Sequence, residues 1–390
     1  FRDVSGWESP SWYAIPGEEA TVKQESFGRE SWFKNWAQEH ESCREGVALF
    51  DMTFMSKFLV QGRDAGSFLN WISTADVDAE AGKITYTQWL NERGFMEADL
   101  TVSKLSETEF LVIATDTMHN HVLQHMYQRL CPDDFVTITD VTPRYTQLNI
   151  QGPRARELLQ QLTGQDLSNG AFGFRRVEDI DIGLARVLCS RITYVGELGY
   201  ELFIPVEQSR HVYDQLLARG KDYGLRHAGL RALGSLRMEK AYRDYGHDMD
   251  NTDTLMECGL GFTCDFQKFR PFIGQSAVEK QKGASKERGG LSKRLVSVLL
   301  SDPTPLMHHG EVLYRNGERI SDIRAASYGH TLGGAVGLSM LDSSLLGGSP
   351  PINKHFLQSG DWEVEIVDRK YPCKVSLSPF YDPKSSRVKH

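Results

Sequence analysis

Long apolar runs are missing from this chain. No window of its 390 residues approaches the roughly 18 uninterrupted apolar residues of a membrane-spanning helix, so no transmembrane segment is expected. Basic charge is also short. Lys and Arg number 44 against 52 Asp and Glu, a formal charge of −8, which argues against a nucleic-acid binder while leaving room for a local basic pocket for a small anion. The cysteines Cys43, Cys131, Cys189, Cys258, Cys264 and Cys373 form no CxxC pair, and no His-rich segment follows Cys258 and Cys264 at zinc-finger spacing, so reduced, buried structural thiols are expected. There is no GxGxxG after a strand, no Walker loop, no HExxH and no nucleophile elbow. The chain therefore carries no dinucleotide fold of its own, and a covalent Ser or Cys mechanism has no candidate. The first residue is Phe1, without a Met or a signal-peptide pattern, which suggests processing or a piece of a longer polypeptide.

The length suits two or three domains with a sizeable core. Residues 1–30 are rich in Trp, Pro, Gly and Ser without a period, and read as an extended arm packing its aromatics on something larger. Trp32, Phe33, Trp36 and Ala37 then predict an amphipathic helix with Ser31 as N-cap. Lys57 to Gln61 reads as a strand, and Asp64 as the cap of a helix that buries Ala65, Phe68, Leu69 and Ile72. Glu109 to Thr115 is a further strand, followed by a helix with His119, His121 and His125. His121 and His125 share a face, but no carboxylate nearby completes a ligand set, so no metal is expected. Thr146 to Gly152 reads as a strand ending at Pro153, a residue favoured at the first helical position. Ala185 to Val206 holds two strands joined by Val195-Gly196-Glu197-Leu198-Gly199, whose glycines permit close approach to a flat ligand. Helices are predicted over about 207–219, stopped by Gly220, and about 228–243, with Arg237 near the end. Residues 282–292 (KGASKERGGLS) read as a linker. Beyond it, short strands with an Asn316-Gly317 hairpin turn predict a small barrel or sandwich.

Among the polar residues, one hairpin stands out. Thr85 to Leu90 is a strand, Asn91-Glu92-Arg93-Gly94 a turn, and Phe95 to Val102 a returning strand that brings Asp99 across from aromatic residues of the first. A carboxyl held beside Tyr86 and Trp89 would have a raised pKa and would favour a cationic ligand. By spacing alone Asp99 reads more readily as a solvated strand residue. The other candidates are Glu197 and Glu201 around the paired glycines, and Arg237 with Arg243.

Six stretches, in order, resemble the folate-binding aminomethyltransferase family, the T-protein family of the glycine cleavage system: FDMTFMSKFLVQG, ITYTQWLNERGFMEADLTV, LNIQGPRARELLQQL, RITYVGELGYELFIP, SLRMEKAYR and KVSLSPFYDP. The match covers nearly everything from Trp32 to Pro383. Within the family the chain is most similar to the C-terminal half of sarcosine and dimethylglycine dehydrogenases, and GWESPSWY resembles the end of their flavin-containing half. The resemblance implies an α+β fold, a three-domain cloverleaf around a central folate-binding hole with a small C-terminal β-barrel. It divides the chain into an arm (1–30), a folate-binding region of two subdomains (31–285) and the barrel (290–385). It implies tetrahydrofolate as cofactor, with Asp99 beside the reactive nitrogens as catalytic residue, Tyr86 on the pterin side, Glu201 reading the pterin's donor edge, and Tyr200 and Arg237 completing the binding set. Leu233 stands where glycine-cleavage enzymes carry an Arg and Ala114 where they carry an Asn, differences that point away from a lipoyl carrier protein.

The function so implied is capture, as 5,10-methylenetetrahydrofolate, of the carbon released from an oxidised N-methyl amine of sarcosine or dimethylglycine type. FAD would enter only with an N-terminal half or partner subunit, the small methylated amine would be the other ligand, and nucleic acid and membrane would be absent as partners. The compartment would be cytoplasmic in a bacterium or the mitochondrial matrix in a eukaryote. The alternatives are a free-standing aminomethyltransferase or folate-dependent demethylase, and a non-catalytic regulatory subunit of pyruvate dehydrogenase phosphatase type.

Overall fold

In a computed structural model, residues 1–4, 6–15, 17–20 and 28–389 are described. The chain opens with a short antiparallel hairpin, β1 (Arg2–Val4) and β2 (Trp7–Ser9). Helix α1 (Phe33–Glu45) leads into β3 (Val47–Asp51). A first lobe follows: β4 (Ser56–Gln61), α2 (Ala65–Ile72), β5 (Ile84–Leu90), β6 (Met96–Ser106), β7 (Glu109–Ala114), α3 (His119–Arg129) and β8 (Thr137–Asp140). Its five strands form an antiparallel sheet in the order β5-β6-β7-β4-β8. The second lobe contains β9 (Tyr145–Gln151), α4 (Ala155–Gln160), β10 (Val177–Ile182), β11 (Ala185–Ser190), β12 (Gly199–Pro205), α5 (Ser209–Gly220) and β13 (Leu225–His227). It recruits β3, giving the order β10-β11-β12-β9-β3-β13. Helices α6 (Leu230–Glu239) and α7 (Gln275–Arg288) bridge to a closed six-stranded barrel. The barrel runs β14 (Lys293–Leu300), β17 (Gly334–Asp342), β16 (Glu318–Gly329), β15 (Val312–Arg315), β18 (Trp362–Ile366) and β19 (Arg369–Ser376), with α8 (Lys354–Gln358) inserted before β18. Helix and sheet are thus mixed in three lobes, the α+β cloverleaf with a C-terminal barrel that the resemblance implies. Among the described residues no helix is long and apolar enough to cross a membrane.

Side chains alternate along a strand, so each sheet has two distinct faces. In the first lobe Phe58, Val60, Trp89, Ala98, Leu100, Val102, Phe110 and Val112 point to α2 and α3 and form that lobe's core. The opposite face carries Leu59, Leu111 and Ile113, which meet Phe203 and Leu188 of the second lobe. The second lobe's own core lies on its other side, where Leu148, Ile150, Tyr200, Leu202 and Ile204 pack under α4 and α5. Leu90 and Met96 at the β5–β6 turn pack with Met238, Tyr245 and the barrel residues Leu295, Val336 and Leu338. The first lobe therefore touches both the second lobe and the barrel.

A buried ionic network joins them. Arg44 at the end of α1 donates to Glu197 Oε1 at 3.0 Å, Val195 O at 2.7 Å and Glu239 Oε2 at 2.8 Å. Glu197 also accepts from Tyr381 Oη and Arg387 Nε, each at 2.7 Å, which ties down the C-terminal segment. Glu239 Oε1 accepts from the backbone N–H groups of Thr331 and Leu332 in the barrel's β16–β17 turn. Burial pushes the Glu239 carboxyl up, but hydrogen bonding to His40 and the Arg44 charge outweigh it and hold it down at about 2.

Several local expectations are corrected. The first helix starts at Phe33 with Trp32 as N-cap and no side-chain cap, so Ser31 does not cap it. Asp64 does occupy the N-cap of α2, but its carboxylate accepts from the Phe135 N–H instead of the helix. Residues 282–288, expected as linker, are the last two turns of α7, whose Lys, Glu and Arg residues are good helix formers. The helix ends at Gly289, φ +80°, in the left-handed conformation that glycine adopts without strain. The strand expected over 185–194 stops at Ser190, and the helix expected over 228–243 spans Leu230–Glu239. In the arm, Tyr13 is 71 % exposed; it is the backbone that is held, by Asn35 Nδ2 on Tyr13 O and Arg231 on Ser11 O. The part of the arm over 21–27 lies outside the described residues. Four cysteines are buried as expected, whereas Cys264 is partly exposed and Cys131 fully so.

Removing one member of a buried ion network leaves its partners charged and unpaired. Arg44→Leu should therefore cost about 3–5 kcal/mol in denaturant unfolding. A loss below about 1 kcal/mol would show that the network does not hold the lobes.

Candidate functional site

The β5–β6 hairpin builds one half of the site. Its turn closes through Asn91 N to Phe95 O at 2.9 Å, with Gly94 at φ +81°. Counting pairs back from that turn would set Asp99 opposite Thr87, on the face of Trp89. The structure has a bulge instead: Leu90 pairs with Met96 but Trp89 with Ala98, leaving Glu97 as the extra residue. This one-residue shift puts Asp99 opposite Gln88 and on the same face as Tyr86, turned toward the molecular centre. Trp89 points the other way, fully buried in the first lobe's core and stacked on His125, so it is not the neighbour of Asp99 that the sequence suggested.

Asp99 Oδ1 accepts from Gln88 Nε2 at 2.7 Å, and its carboxylate takes a further hydrogen bond from Tyr86. Gln88 is fully buried, and its carbonyl accepts from Thr263 Oγ1, which fixes the amide with N–H toward Asp99. Burial is the largest influence on Asp99 and pushes its pKa up to about 7, against the bonds from Gln88 and Tyr86 and the Arg243 charge and with the Asp248 charge. Tyr86 is pushed well above the usual phenol range by burial and by Asp99 itself. Tyr194 stacks on Tyr242 at 6.1 Å, and its hydroxyl donates to Arg243 O at 2.6 Å; burial, then the nearby Asp244, Asp248 and Asp99 charges, raise it despite Arg237. An aromatic wall thus borders the carboxyl.

The other half lies on the facing sheet. Glu201 sits on β12 opposite Asn149 of β9, on the face that carries Phe203 into the contact between lobes. Asn149 Nδ2 donates to its Oε1 at 3.1 Å and Gln147 Nε2 to its Oε2 at 3.4 Å. Burial pushes Glu201 up to about 7, opposed by Asn149 and the charge of Lys57. Lys57, fully buried on β4, donates to Met55 O at 2.7 Å and Thr53 O at 3.0 Å, and burial lowers it to about 8 although Glu201, Asp51 and Asp140 pull it up. Both carboxyls are partly exposed on facing sheets, and both change charge near neutral pH. Each such group can hold a proton, accept one, or steady a cation.

Of the five residues expected in the site, Asp99 and Tyr86 come together, and Glu201 faces them from the second lobe. Tyr200 does not join them: as the neighbour of Glu201 on one strand it points to the opposite face, where it is fully buried against Phe172 and receives Arg156 Nε at 3.3 Å. Arg237 is nearly buried, donates to Asp248 Oδ2 at 2.6 Å and Tyr242 O at 3.0 Å, and borders a cavity of about 420 Å³ with His247, His308 and Arg324. His121 has a carboxylate that the sequence did not reveal, Glu97 Oε2 at 3.0 Å, because the bulge turns Glu97 toward α3. Among the described residues no group of three or more His, Cys, Asp or Glu could hold a metal. Gln88, Tyr194, Asn149 and Lys57 escaped sequence reasoning. Only Gln88 carried a signal, its place two residues from Tyr86 on a strand of alternating faces.

Residues 1–268 match the family model of the GCVT N-terminal domain, and residues 293–382 that of the glycine cleavage T-protein C-terminal barrel domain. The chain is 37% identical over 391 residues to 4-methylaminobutanoate oxidase (formaldehyde-forming) of Paenarthrobacter nicotinovorans, covering 100% of the chain and 45% of that protein. It is 30% identical over 426 residues to human mitochondrial sarcosine dehydrogenase, again covering 100% and 45%. With the aminomethyltransferase of Listeria monocytogenes serotype 4a (strain HCC23) it shares 32% identity over 345 residues, covering 88% of the chain and 89% of that enzyme. The chain thus spans less than half the length of the two oxidising relatives. The crystal structure of glycine cleavage system aminomethyltransferase T from Bartonella henselae superposes with a TM-score of 0.75 at 22% identity, over 89% of this chain and 90% of that one, a likeness of fold.

The raised carboxyls carry a pH signature. Folded Asp99 and Glu201 hold protons up to about pH 7, whereas unfolded Asp and Glu release them near pH 4. Their contribution to stability is full below the unfolded values and is lost as pH rises through about 7. Asp99→Asn and Glu201→Gln remove the ionisation, so each variant should gain on the parent between pH 5 and pH 8. The expected gain is about 1–2 kcal/mol in ligand-free urea unfolding, reduced because the groups are partly exposed. A difference constant across that range would exclude the raised values.

Proposed function

The chain belongs to the aminomethyltransferase family, the glycine cleavage T-proteins, and from that membership we propose that it captures on tetrahydrofolate the carbon of an oxidised N-methyl amine. Folate-dependent one-carbon transfer is the chemistry of the family. The finer reading, with an N-methyl amino acid of the sarcosine or dimethylglycine kind as the source, draws support from the oxidising relatives that match over the whole chain. The oxidation itself needs a flavin, which we assign to a further portion of the polypeptide or to a partner subunit.

The donor set suits a reduced folate. A pterin ring is flat and offers a row of N–H donors on one edge, and Glu201 is a half-buried carboxyl on the sheet face that meets the first lobe, held by the amides of Asn149 and Gln147. Tyr86 and Tyr194 provide aromatic surface beside Asp99. Tetrahydrofolate, when bound, supplies the two nitrogens that take up the carbon as 5,10-methylenetetrahydrofolate. Asp99 is the residue placed to accept the proton released as the second nitrogen bonds to carbon, and its carboxylate steadies positive charge until then. Gln88, fixed by Thr263, orients that carboxylate, and Tyr86 holds it toward the ligand.

The observation that carries the reading is a carboxyl poised at about 7 among aromatic and amide partners on the central face. Asp99→Asn should slow formation of methylenetetrahydrofolate from formaldehyde and tetrahydrofolate by about 10²–10⁴-fold while changing the folate dissociation constant by less than about fivefold. The rate of the parent protein should rise with pH through about 7 to a plateau as Asp99 ionises. An unchanged rate in the Asn variant, or no folate binding by the parent, would overturn the proposal.

A further inference from the structure

The cavity of about 420 Å³ that Arg237 borders lies where the segment after α6 meets the barrel. Five of its eight lining residues are basic, namely Arg237, His247, His308, His309 and Arg324, and among the described residues none is acidic. In a chain of net charge −8 such a wall runs against the composition. The other three, Gly246, Ala325 and Ala326, are small and leave the space open.

The cations are aimed by the backbone and fixed from behind. In β16, Ile323 pairs with Ser339 and Ala325 with Leu338, so Arg324 is the extra residue of a bulge and leaves the ladder. Its guanidinium donates to both oxygens of Asp253, Nη2 to Oδ1 at 3.1 Å, and to Asp248 O at 3.2 Å. Arg237 donates to Asp248 Oδ2 at 2.6 Å. Asp248 and Asp253 are fully buried, whereas the Arg324 side chain is 26 % exposed. The cations thus line the cavity and their counter-charges do not. The acids nearest the rim are engaged too: Asp244 with His247 at 3.5 Å and Arg237 at 3.9 Å, and Glu311 with the His308 N–H at 2.7 Å.

The cavity adjoins the site built around Asp99. Asp248, the partner of Arg237, is also one of the charges that act on Asp99. One loop serves both places: Tyr245 Oη reaches Met96 O on the hairpin at 3.0 Å, while the next two residues, Gly246 and His247, line the cavity.

We infer that this cavity holds the carboxylate of the amino acid whose methyl carbon is transferred, so that the carbon arrives still attached to its amine. The inference rests on the folate reading of the neighbouring site and names the group by which the carbon donor is recognised. Guanidinium and imidazole N–H groups are the donors that match a carboxylate, and a space of about 420 Å³ suits a small molecule. The donor is then an N-methylene iminium, R–NH⁺=CH₂. It passes its CH₂ to the two folate nitrogens, its C–N bond breaks, and the two N–H protons of the folate end on the amine, which leaves as R–NH₃⁺. Charge and electrons balance, so this step needs no oxidant. Free formaldehyde has no carboxylate and would gain nothing from basic walls.

Sarcosine has the shape of its own N-methylene imine, and sarcosinamide differs from it by lacking the anionic group. Titrated into the folate-free protein, sarcosine should bind at least about tenfold more tightly than sarcosinamide. Replacing both exposed imidazoles, His308→Gln with His309→Gln, should weaken sarcosine at least about threefold while leaving sarcosinamide binding and the melting temperature unchanged. Arg324→Lys keeps a cation for Asp253 but loses the planar fork, and should weaken sarcosine further. If that variant does not fold, the histidine variant decides the matter alone. Equal binding of sarcosine and sarcosinamide by the parent overturns the inference, as does a histidine variant that binds sarcosine like the parent. If that variant instead loses affinity for 5-formyltetrahydrofolate but not for its pteroate analogue, which lacks the glutamyl carboxylates, the cavity serves the folate tail. That result overturns the inference and leaves folate binding intact. A parent protein that fails to bind 5-formyltetrahydrofolate overturns both.

Discussion

The guanidinium of Arg44 is the point on which the three lobes converge. A buried cation is tolerated only where its donors are met, and Arg44 meets carboxylates from two different elements, Glu197 before β12 and Glu239 at the end of α6. Glu239 in turn holds the barrel through the Thr331 and Leu332 N–H groups, and Glu197 holds the C-terminal segment through Tyr381 and Arg387. The consequence reaches the site. The loop fixed by Glu197 begins β12 and so places Glu201 four residues later. The end of α6, fixed by Glu239, leads into the segment that carries Tyr242, Arg243 and Asp248, whose Arg243 and Asp248 charges act on Asp99.

Two kinds of buried carboxyl coexist in this molecule, and their partners distinguish them. Glu239 faces a guanidinium and a histidine, which compensate its desolvation and keep it ionised. Asp99 and Glu201 are bound mainly by carboxamides, Gln88 for one and Asn149 with Gln147 for the other. A neutral amide stabilises a carboxylate less than a cation does, so burial dominates and both groups titrate near 7. Lys57 fits the same logic. Its ammonium is occupied by the Thr53 and Met55 carbonyls and acts on Glu201 through charge alone. The charges that hold the fold are saturated, and those that face the centre remain adjustable.

Much of this could be read from the chain before folding was known. Local chemistry sets the Asn316-Gly317 turn, where both residues take positive φ, the strand that ends before Pro153, and the β-rich character of the last hundred residues. The order of motifs identified the family and hence the three-lobed fold. Single residues failed where a neighbour distant in sequence decided the outcome. The Asp64 carboxylate turned to Phe135 because the segment leading into β8 passes beside it.

The hairpin shows where the division falls. Sequence determined that Thr85 to Val102 would be two strands with Asp99 on the second, since β-formers flank a turn of Asn and Gly. It could not determine which way Asp99 points, because one extra residue at Glu97 exchanges the two faces and costs little locally. Only the tertiary structure decided it: Trp89 and Ala98 fill the core against α2 and α3, Tyr245 reaches across to Met96 O at 3.0 Å, and the bulge that satisfies both leaves Asp99 beside Tyr86 and Gln88 on the central face. The carboxyl's identity is written in the chain, but its pKa and its partners come from packing.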